Sequence, residues 1–487
     1  MRYPGHIGHW IDGRASARAR RFFVKYNPAT GAPLGCVSRG AATDIASAVR
    51  GASAAAQAWR ALSPLSRGDI IRAAALLMRE RAEELARVVS LETGKSLKDA
   101  RAETGVAIEM GFFVAGEGRR LYGKTTTSAV LHRRAMTLRA PVGLCGLIVA
   151  ANTPIANVAW KAFPALLCGN TAVLKPSENA PYTALLFAQA LRDAGVPAGV
   201  FQVVQGLGSE AGAALVAHPA VRLVSFTGSA PVGREIQHVA GARLAKVCLE
   251  LGGKNALIVC DDADLDAAAR DAALSAFSNA GQRCAAGSRI IVFSSVYERF
   301  KKKLLRLASQ LSVGSGEKDD FGPVINEAAL ERILSAVLRA AREDGAKMLC
   351  GGKRLRGKKR ARGYFMAPTL LERVRPEAPI SQDELFGPVA CLYLVKDFDE
   401  AVALANQTDF GLTAAIHTKS IHRIEAAEER LECGVLSVNG PTYGSEPHLP
   451  FGGVKNSGTG WREAGAEALD VYSEWKTVYI THDPKLL

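Results

Sequence analysis

The sequence predicts an α/β protein: a doubly wound parallel sheet, a second α/β unit after it, and a small β segment beside both. Three observations carry this. Between residues 142 and 226 apolar strand-like runs alternate with helical runs, and strands separated by helices form parallel sheets covered on both faces. A second alternation runs from residue 256 to about 436. The third is size: 487 residues, 48% hydrophobic and 22% charged, are globular in composition but too many for one core.

In chain order, residues 10–37 carry short apolar runs cut by Asp-Gly, Asn-Pro and Thr-Gly pairs, the punctuation of a small antiparallel entry segment. Residues 44–117 set Ile70, Ala74, Leu77 and Leu85 at helical spacing among alanines, so helices are expected there. Residues 121–139 alternate apolar and polar residues with several threonines, a strand pattern. Strands follow at 142–150, 171–174, 201–204 and 223–226, with helices at 155–167, 184–194 and 210–216 between them. In the second unit strands are expected at 256–259, 288–293, 389–395 and 413–417. The last strand-like run, 474–480, is expected to pair across a subunit boundary.

Composition excludes several function classes. No apolar run reaches bilayer length and residues 1–10 lack the apolar core of a secretory signal, so no membrane partner is expected and a cytoplasmic location is the default. The nine cysteines are irregularly spaced without a Cys-x-x-Cys, which suggests neither a metal site nor a disulfide framework. The net charge of +14 concentrates at 18–21, 301–303 and 353–362, without interleaved aromatics. These tracts read as solvated faces and a loop rather than a nucleic-acid surface, and the surplus charge steers anionic ligands inward. The glycine-bounded tract 353–362 is assigned no chemistry.

Three stretches carry chemistry. Asn279-Ala-Gly-Gln-Arg-Cys-Ala-Ala-Gly-Ser288 sets Cys284 among residues too small to cover its sulfur, whereas Cys145, Cys168, Cys248, Cys260 and Cys391 lie in apolar runs. Val247-Cys-Leu-Glu-Leu-Gly-Gly-Lys254 places Glu250 where desolvation would raise it toward a general base. Val149-Ala-Ala-Asn-Thr-Pro154 ends a strand with Asn152, a donor for an oxyanion. Singly these also read as a core cysteine, a satisfied polar residue and a turn former. Together they make thiol, base and oxyanion donor.

The chain resembles the aldehyde dehydrogenase superfamily over nearly its whole length. The matching pieces, in collinear order, are Ala159-Trp-Lys-Ala-Phe-Pro-Ala-Leu-Leu-Cys-Gly-Asn-Thr-Ala-Val-Leu-Lys-Pro-Ser-Glu178, Phe226-Thr-Gly-Ser229, Glu250-Leu-Gly-Gly253, Gly281-Gln-Arg-Cys284, Glu384-Leu-Phe-Gly-Pro388 and Pro450-Phe-Gly-Gly453. The resemblance implies a cofactor-binding domain at 1–119 and 142–252, a catalytic domain at 253–456, and oligomerisation strands at 120–141 and 465–487, in a homodimer or homotetramer. It implies oxidation of a small-molecule aldehyde with NAD, NADP being left open, by Cys284, Glu250, Asn152 and Lys161, with no metal.

Coenzyme contacts are expected from Lys175, Ser177 and Glu178 at a strand end, and from Gly228, Ser229 and Gly233 where a strand turns into a helix. The resemblance adds Trp160, Leu251, Glu384 and Phe386. A Glu178 carboxylate would repel a 2′-phosphate, which favours NAD, although Lys175 offsets part of that repulsion. Where the family often carries aromatics around the thiol, this chain has Thr153, Asn157, Arg283, Ser445 and His448. Those polar groups point to an acid-bearing semialdehyde, as in the semialdehyde branch near the ketoglutarate-semialdehyde enzymes. A CoA-acylating dehydrogenase and a catalytically silent structural or binding protein on the same fold are the competing readings. Glu250 weighs against the first, and the retained set of thiol, base and amide against the second.

Overall fold

The computed structural model describes residues 3–16, 21–357 and 360–486, so Arg18, Arg20, Lys358 and Lys359 of the basic tracts lie outside the described residues. The chain enters through β1 (His6–Ile7), β2 (Trp10–Ile11), β3 (Arg14–Ala15), β4 (Phe22–Tyr26) and β5 (Pro33–Ser38). Four helices follow, α1 (Ala42–Ala61), α2 (Pro64–Glu80), α3 (Ala82–Thr93) and α4 (Leu97–Glu117), and then β6 (Lys124–Thr126) and β7 (Arg133–Pro141). The first alternation is β8 (Leu144–Ile148), α5 (Pro154–Leu167), β9 (Thr171–Lys175), α6 (Pro181–Asp193), β10 (Phe201–Val203), α7 (Ala213–Ala217), β11 (Leu223–Thr227), α8 (Ala230–Gly241) and β12 (Lys246–Glu250). The helix expected at 210–216 opens as a π turn, Gly208–Gly212, before α7.

Period-two alternation explains why these strands are covered on both faces. Cys145 and Leu147 of β8 pack with α2 to α6, whereas Leu144 and Ile148 pack with α1, α7 and α8. In β12, Cys248 faces the first layer and Val247 and Leu249 the second. A strand buried on both sides reads as one continuous apolar run, which is how β8 and β9 read. The sheet order is β12-β11-β8-β9-β10-β2-β3, parallel from β12 to β10.

The entry segment departs from the antiparallel unit expected of it. β4 and β5 pair antiparallel, but β1 pairs parallel with β5. The β2–β3 hairpin leaves to close the edge of the main sheet, Trp10 lying opposite Val203 in antiparallel register. A Trp that is buried there gains more apolar contact than one left in a small separate sheet.

The second unit contains β13 (Asn255–Val259), α9 (Leu265–Phe277), β14 (Gly287–Phe293), α10 (Tyr297–Gln310), α11 (Glu327–Arg342), β15 (Lys347–Cys350), β16 (Thr369–Glu372), β17 (Val389–Val395), β18 (Phe410–Gly411), β19 (Thr413–His417), β20 (Val435–Val438) and β21 (Val454–Lys455). Its sheet runs β15-β16-β17-β14-β13-β19-β20 and is parallel except for β15. β22 (Ser473–Thr481) closes the chain. Within the chain it pairs antiparallel with β7, from Ser473 opposite Pro141 to Thr481 opposite Arg133, and forms the outer edge of the sheet β22-β7-β6. Among the described residues no helix is long and apolar enough to cross a membrane.

Trp59 anchors the last turn of α1 against α5: it is fully buried and its Nε1–H donates to the Leu166 carbonyl at 3.1 Å. Trp59→Ala is expected to cost about 3 to 5 kcal/mol through the cavity and the stranded carbonyl. A denaturant midpoint within error of the parent's would show that this contact is not a principal one.

Candidate active site

Two sheet edges meet at the site. β8, β11 and β12 run parallel and end together, so the residues that follow them emerge on one edge: Asn152 beyond β8, Gly228 beyond β11, and Glu250 as the last residue of β12. Ligands bind outside the carboxyl ends of such strands. Only residues 251–254 separate β12 from β13, so the second sheet starts where the first stops. Cys284 lies just before the first residue of β14, which pairs with β13, and so arrives at the same place.

The thiol loop is held in an unusual shape. Asn279, Ala280 and Gly281 are left-handed in succession, with φ of 53°, 55° and 66°. For the two non-glycine residues this stores strain that other contacts must hold. Gln282 does so: its Nε2 donates to the Asn279 and Pro323 carbonyls, both at 3.2 Å, while its Oε1 accepts from Ile325 N–H at 2.8 Å. Asn255 Nδ2 then donates to the Cys284 carbonyl at 2.7 Å and to the Ala286 carbonyl at 2.9 Å. The sulfur of Cys284 is left on the wall of a cavity of about 1050 Å³.

Of the residues singled out in the sequence, the cavity brings together Asn152, Thr153, Asn157, Trp160, Gly228, Ser229, Glu250, Leu251, Arg283, Cys284, Glu384, Phe386 and Ser445. Asn157 Nδ2 donates to Asn152 Oδ1 at 3.4 Å, which turns the Asn152 amide nitrogen the other way, free to donate. Arg283 lies 4.5 Å over the Tyr443 ring and donates to Ser278 Oγ at 3.3 Å. Glu384 accepts from Gly253 N–H at 3.3 Å.

Six others do not line it. Lys161 is fully buried, bonded to Glu463 and, at 2.9 Å, to Ser225 Oγ. Lys175 sits 3.1 Å from Glu178 at the end of β9, beside the π turn, and Ser177 Oγ accepts from Asn179 N–H at 3.3 Å. Gly233 lies in the first turn of α8, where a Cβ would come within 2.7 Å of Leu251 Cδ2, so its absence lets α8 lie on Leu251. His448 was expected at the substrate and instead lies exposed, 3.7 Å from Glu446.

Burial and neighbouring charge set the ionisation of the site. Glu250 is 4% exposed, its Oε1 has no hydrogen-bond partner, and burial followed by the Glu463 charge raises it well above the usual carboxylate range, against the pull of Lys161 and Arg462. Burial pushes Glu384 up to about 7. The Cys284 thiol is raised by burial and then by Glu250 and Glu384, while Ala285 N–H and Arg283 act the other way.

Sequence reasoning missed Glu463, Lys95 and Glu103, all on the cavity wall. Glu463 carried a signal, a lone carboxylate ten residues beyond the Pro450-Phe-Gly-Gly453 motif, and it is tied back to that motif by reciprocal backbone bonds with Phe451, each 2.8 Å. Lys95 and Glu103 carried none, because in sequence they are ordinary polar positions of a helical region.

The cavity fits a dinucleotide. Thr227 Oγ1, at the end of β11, is buried with no hydrogen-bond partner and lines the wall. Ser229 caps the twelve-residue α8 without a side-chain bond, leaving first-turn N–H groups for an anion.

The aldehyde dehydrogenase family model matches residues 14–478. The chain is similar to the α-ketoglutaric semialdehyde dehydrogenase of Bacillus subtilis (strain 168), at 39% identity with 92% of each chain covered. It is equally 39% identical to the NADP(+) succinate-semialdehyde dehydrogenase GabD of Escherichia coli (strain K12), covering 97% of this chain and 96% of that one. Among solved structures, betaine aldehyde dehydrogenase of Staphylococcus aureus in complex with NAD+ superposes with a TM-score of 0.95 at 32% identity, over 98% of this chain and 95% of that one.

Glu250→Gln is expected to lower the pH at which Cys284 reacts with iodoacetamide, since the thiolate loses an anionic neighbour, while burial keeps it above a free cysteine. Peptide-resolved mass spectrometry reads Cys284 apart from the other cysteines. An unmoved or raised midpoint would mean that the Glu250 charge does not act on the thiol.

Proposed function

The chain belongs to the aldehyde dehydrogenase family, and from that premise we propose that it oxidises an acid-bearing semialdehyde to the carboxylic acid, with water as the final acyl acceptor. The observation that carries this reading is one cavity lined by Cys284, Glu250 and Asn152 together with the polar side chains of Arg283, Ser445, Thr153 and Asn157. The relatives named above act on semialdehydes according to their names, which supports the same substrate class.

In this reading the Cys284 thiolate attacks the aldehyde carbon, forming a C–S bond, and the carbonyl oxygen becomes an oxyanion held by Asn152 Nδ2 and the Cys284 N–H. A nicotinamide coenzyme, when bound, supplies the two-electron oxidation that turns this adduct into a thioester. Ser229 and the first turn of α8 would hold its pyrophosphate, Lys175, Ser177 and Glu178 its adenosine ribose, and Glu384 with Phe386, Trp160 and Leu251 its nicotinamide end. Glu250 then takes a proton from water as the water oxygen attacks the thioester carbon. The C–S bond breaks, Cys284 leaves as thiolate, and the acid is released. Lys161, through its charge, favours the ionised form of Glu250 that this step needs.

NAD is preferred over NADP in this reading, because a Glu178 carboxylate that accepts from the ribose hydroxyls would repel a 2′-phosphate, and the Lys175 that could offset the repulsion already engages Glu178. Glu250 weighs against transfer to CoA, and the assembled set weighs against a silent binding protein. We further read 1–119 with 142–252 as the coenzyme unit, 253–456 as the catalytic unit, and 120–141 with 465–487 as strands that join a homodimer or homotetramer. Exposed Leu138, Trp475, Tyr479 and Ile480 on β7 and β22 support the last assignment.

A semialdehyde of about four to six carbons spans from a side-chain cation to the thiol in the bound pose. Such a substrate should exceed hexanal in kcat/KM, because an alkyl chain would desolvate the polar wall unpaired at roughly 1 to 3 kcal/mol per group. Arg283→Ala should collapse that preference. Hexanal winning in the parent, or a preference untouched by Arg283→Ala, would refute the substrate assignment.

The hydrolytic step is tested separately. Glu250→Gln should keep a pre-steady-state burst of reduced coenzyme but release acid slowly. In the parent, acid release should quicken as pH rises toward the raised Glu250 value, where the base form appears, and the Gln variant should lose that rise. Disappearance of the burst would place Glu250 in an earlier step.

A further inference from the structure

We infer that Lys95 and Glu103, a buried ion pair outside the catalytic set, position the Asn152 turn. The role rests on the oxyanion function proposed above for Asn152. Lys95 stands between α3 and α4, just after Gly94 has ended α3 in the left-handed conformation, and Glu103 lies on α4. Their side chains are 2% and 4% exposed, and Lys95 Nζ meets Glu103 Oε2 at 2.5 Å. Burying two charges costs solvation that mutual attraction alone need not return. The remaining bonds of the pair show what it holds.

Lys95 Nζ also donates to the backbone carbonyl of Asn152 at 2.6 Å, and Glu103 Oε1 accepts from Ile155 N–H at 3.0 Å. The second of these is a helix cap supplied from another helix. Thr153, at the N-cap of α5, makes no side-chain bond of its own, and Pro154 at the first helical position has no N–H to offer. Glu103 therefore satisfies a first-turn donor that the local sequence leaves open, and its charge suits that end of α5. Asn152 is thus gripped on both sides, at its own carbonyl and three residues on.

A third bond joins this grip to the thiol. Asn279 Nδ2, from the left-handed stretch before Cys284, donates to the same Asn152 carbonyl at 3.2 Å. The backbone that carries the amide and the loop that carries the sulfur are therefore referred to one oxygen atom, with Lys95 fixing where that oxygen lies. Because Glu103 matches the Lys95 charge, the lysine does not add a free cation for a substrate carboxylate, although both residues line the cavity.

Four proteins test this: the parent, Lys95→Met/Glu103→Gln, Asn152→Ala, and the triple combination. Removing both charges together avoids leaving either one buried without its partner. The rate constant of coenzyme reduction in a single turnover is measured for each, with aldehyde KM, coenzyme Kd and Tm. The double variant should reduce coenzyme at least about tenfold more slowly, as a displaced oxyanion donor does. KM should move less than about twofold. In the Asn152→Ala background the same double change should slow the step several-fold less than in the parent. The part of its effect that passes through the Asn152 side chain is then already lost, and only the bond of the thiol loop to the residue 152 carbonyl remains to be disturbed.

A parental rate in the double variant, or equal slowing in both backgrounds, overturns the positioning role and leaves the pair a structural one. A parental rate in Asn152→Ala overturns the oxyanion reading itself, and the positioning role with it. Should the double variant fail to fold, Lys95→Met alone, which removes the donor to the Asn152 carbonyl and keeps the Glu103 acceptor for Ile155 N–H, carries the same cycle and the same outcomes.

Discussion

Everything at the site closes in on two glycines. Gly252 and Gly253 lie in the four-residue link between the last strand of the first sheet and the first of the second. A Cβ on Gly252 would meet the Glu384 carboxylate at 2.0 Å, and one on Gly253 would meet the Cys284 carbonyl and Asn255 Oδ1, each at 2.6 Å. Absence of a side chain is what allows Glu250, the Glu384 carboxylate and the thiol loop to approach one stretch of backbone. Each of the three comes from a different part of the chain, so the link is where two sheets acquire a common site.

The short link also fixes the polarity of the arrangement. The first sheet presents the carboxyl ends of β8, β11 and β12, whereas the second presents the amino ends of β13 and β14. Cys284, ahead of β14, faces residues that follow β8, β11 and β12 without any long excursion. Asn255 completes the joint, binding the thiol loop through Nδ2 and Thr413 N–H through Oδ1 at 3.0 Å. A buried amide satisfied at both ends holds geometry more strictly than an apolar residue of its size would.

Buried charge is handled in two ways around the cavity. Lys161 with Glu463, and Lys95 with Glu103, are paired and further bonded, so their charges are matched and their geometry is fixed. Glu250 and Glu384 lack a close cationic partner, and burial raises both. The paired groups set positions, while burial holds the unpaired ones above the usual carboxylate range. A cavity needs both kinds if it is to hold a shape and still move a proton.

The sequence by itself determined the α/β class and the two alternations, and it singled out Cys284, Glu250 and Asn152, which the structure brings to one cavity. These rest on local patterns: apolar strands at regular spacing, Cys284 among small residues, and Glu250 ahead of paired glycines. What local patterns left open was decided by contacts between segments. Trp10 joined the main sheet because Val203 was there to pair with, and β22 found β7 more than 300 residues upstream. Gly233 accommodates Leu251 from its place in α8, and His448 lies exposed, 3.7 Å from Glu446. Lys95 and Glu103 look like surface residues in one dimension, and Glu463 stands out there only by its distance from the Pro450-Phe-Gly-Gly453 motif. Only tertiary structure made them parts of the site, because burial and pairing are properties of the space between segments, which no local pattern of residues encodes.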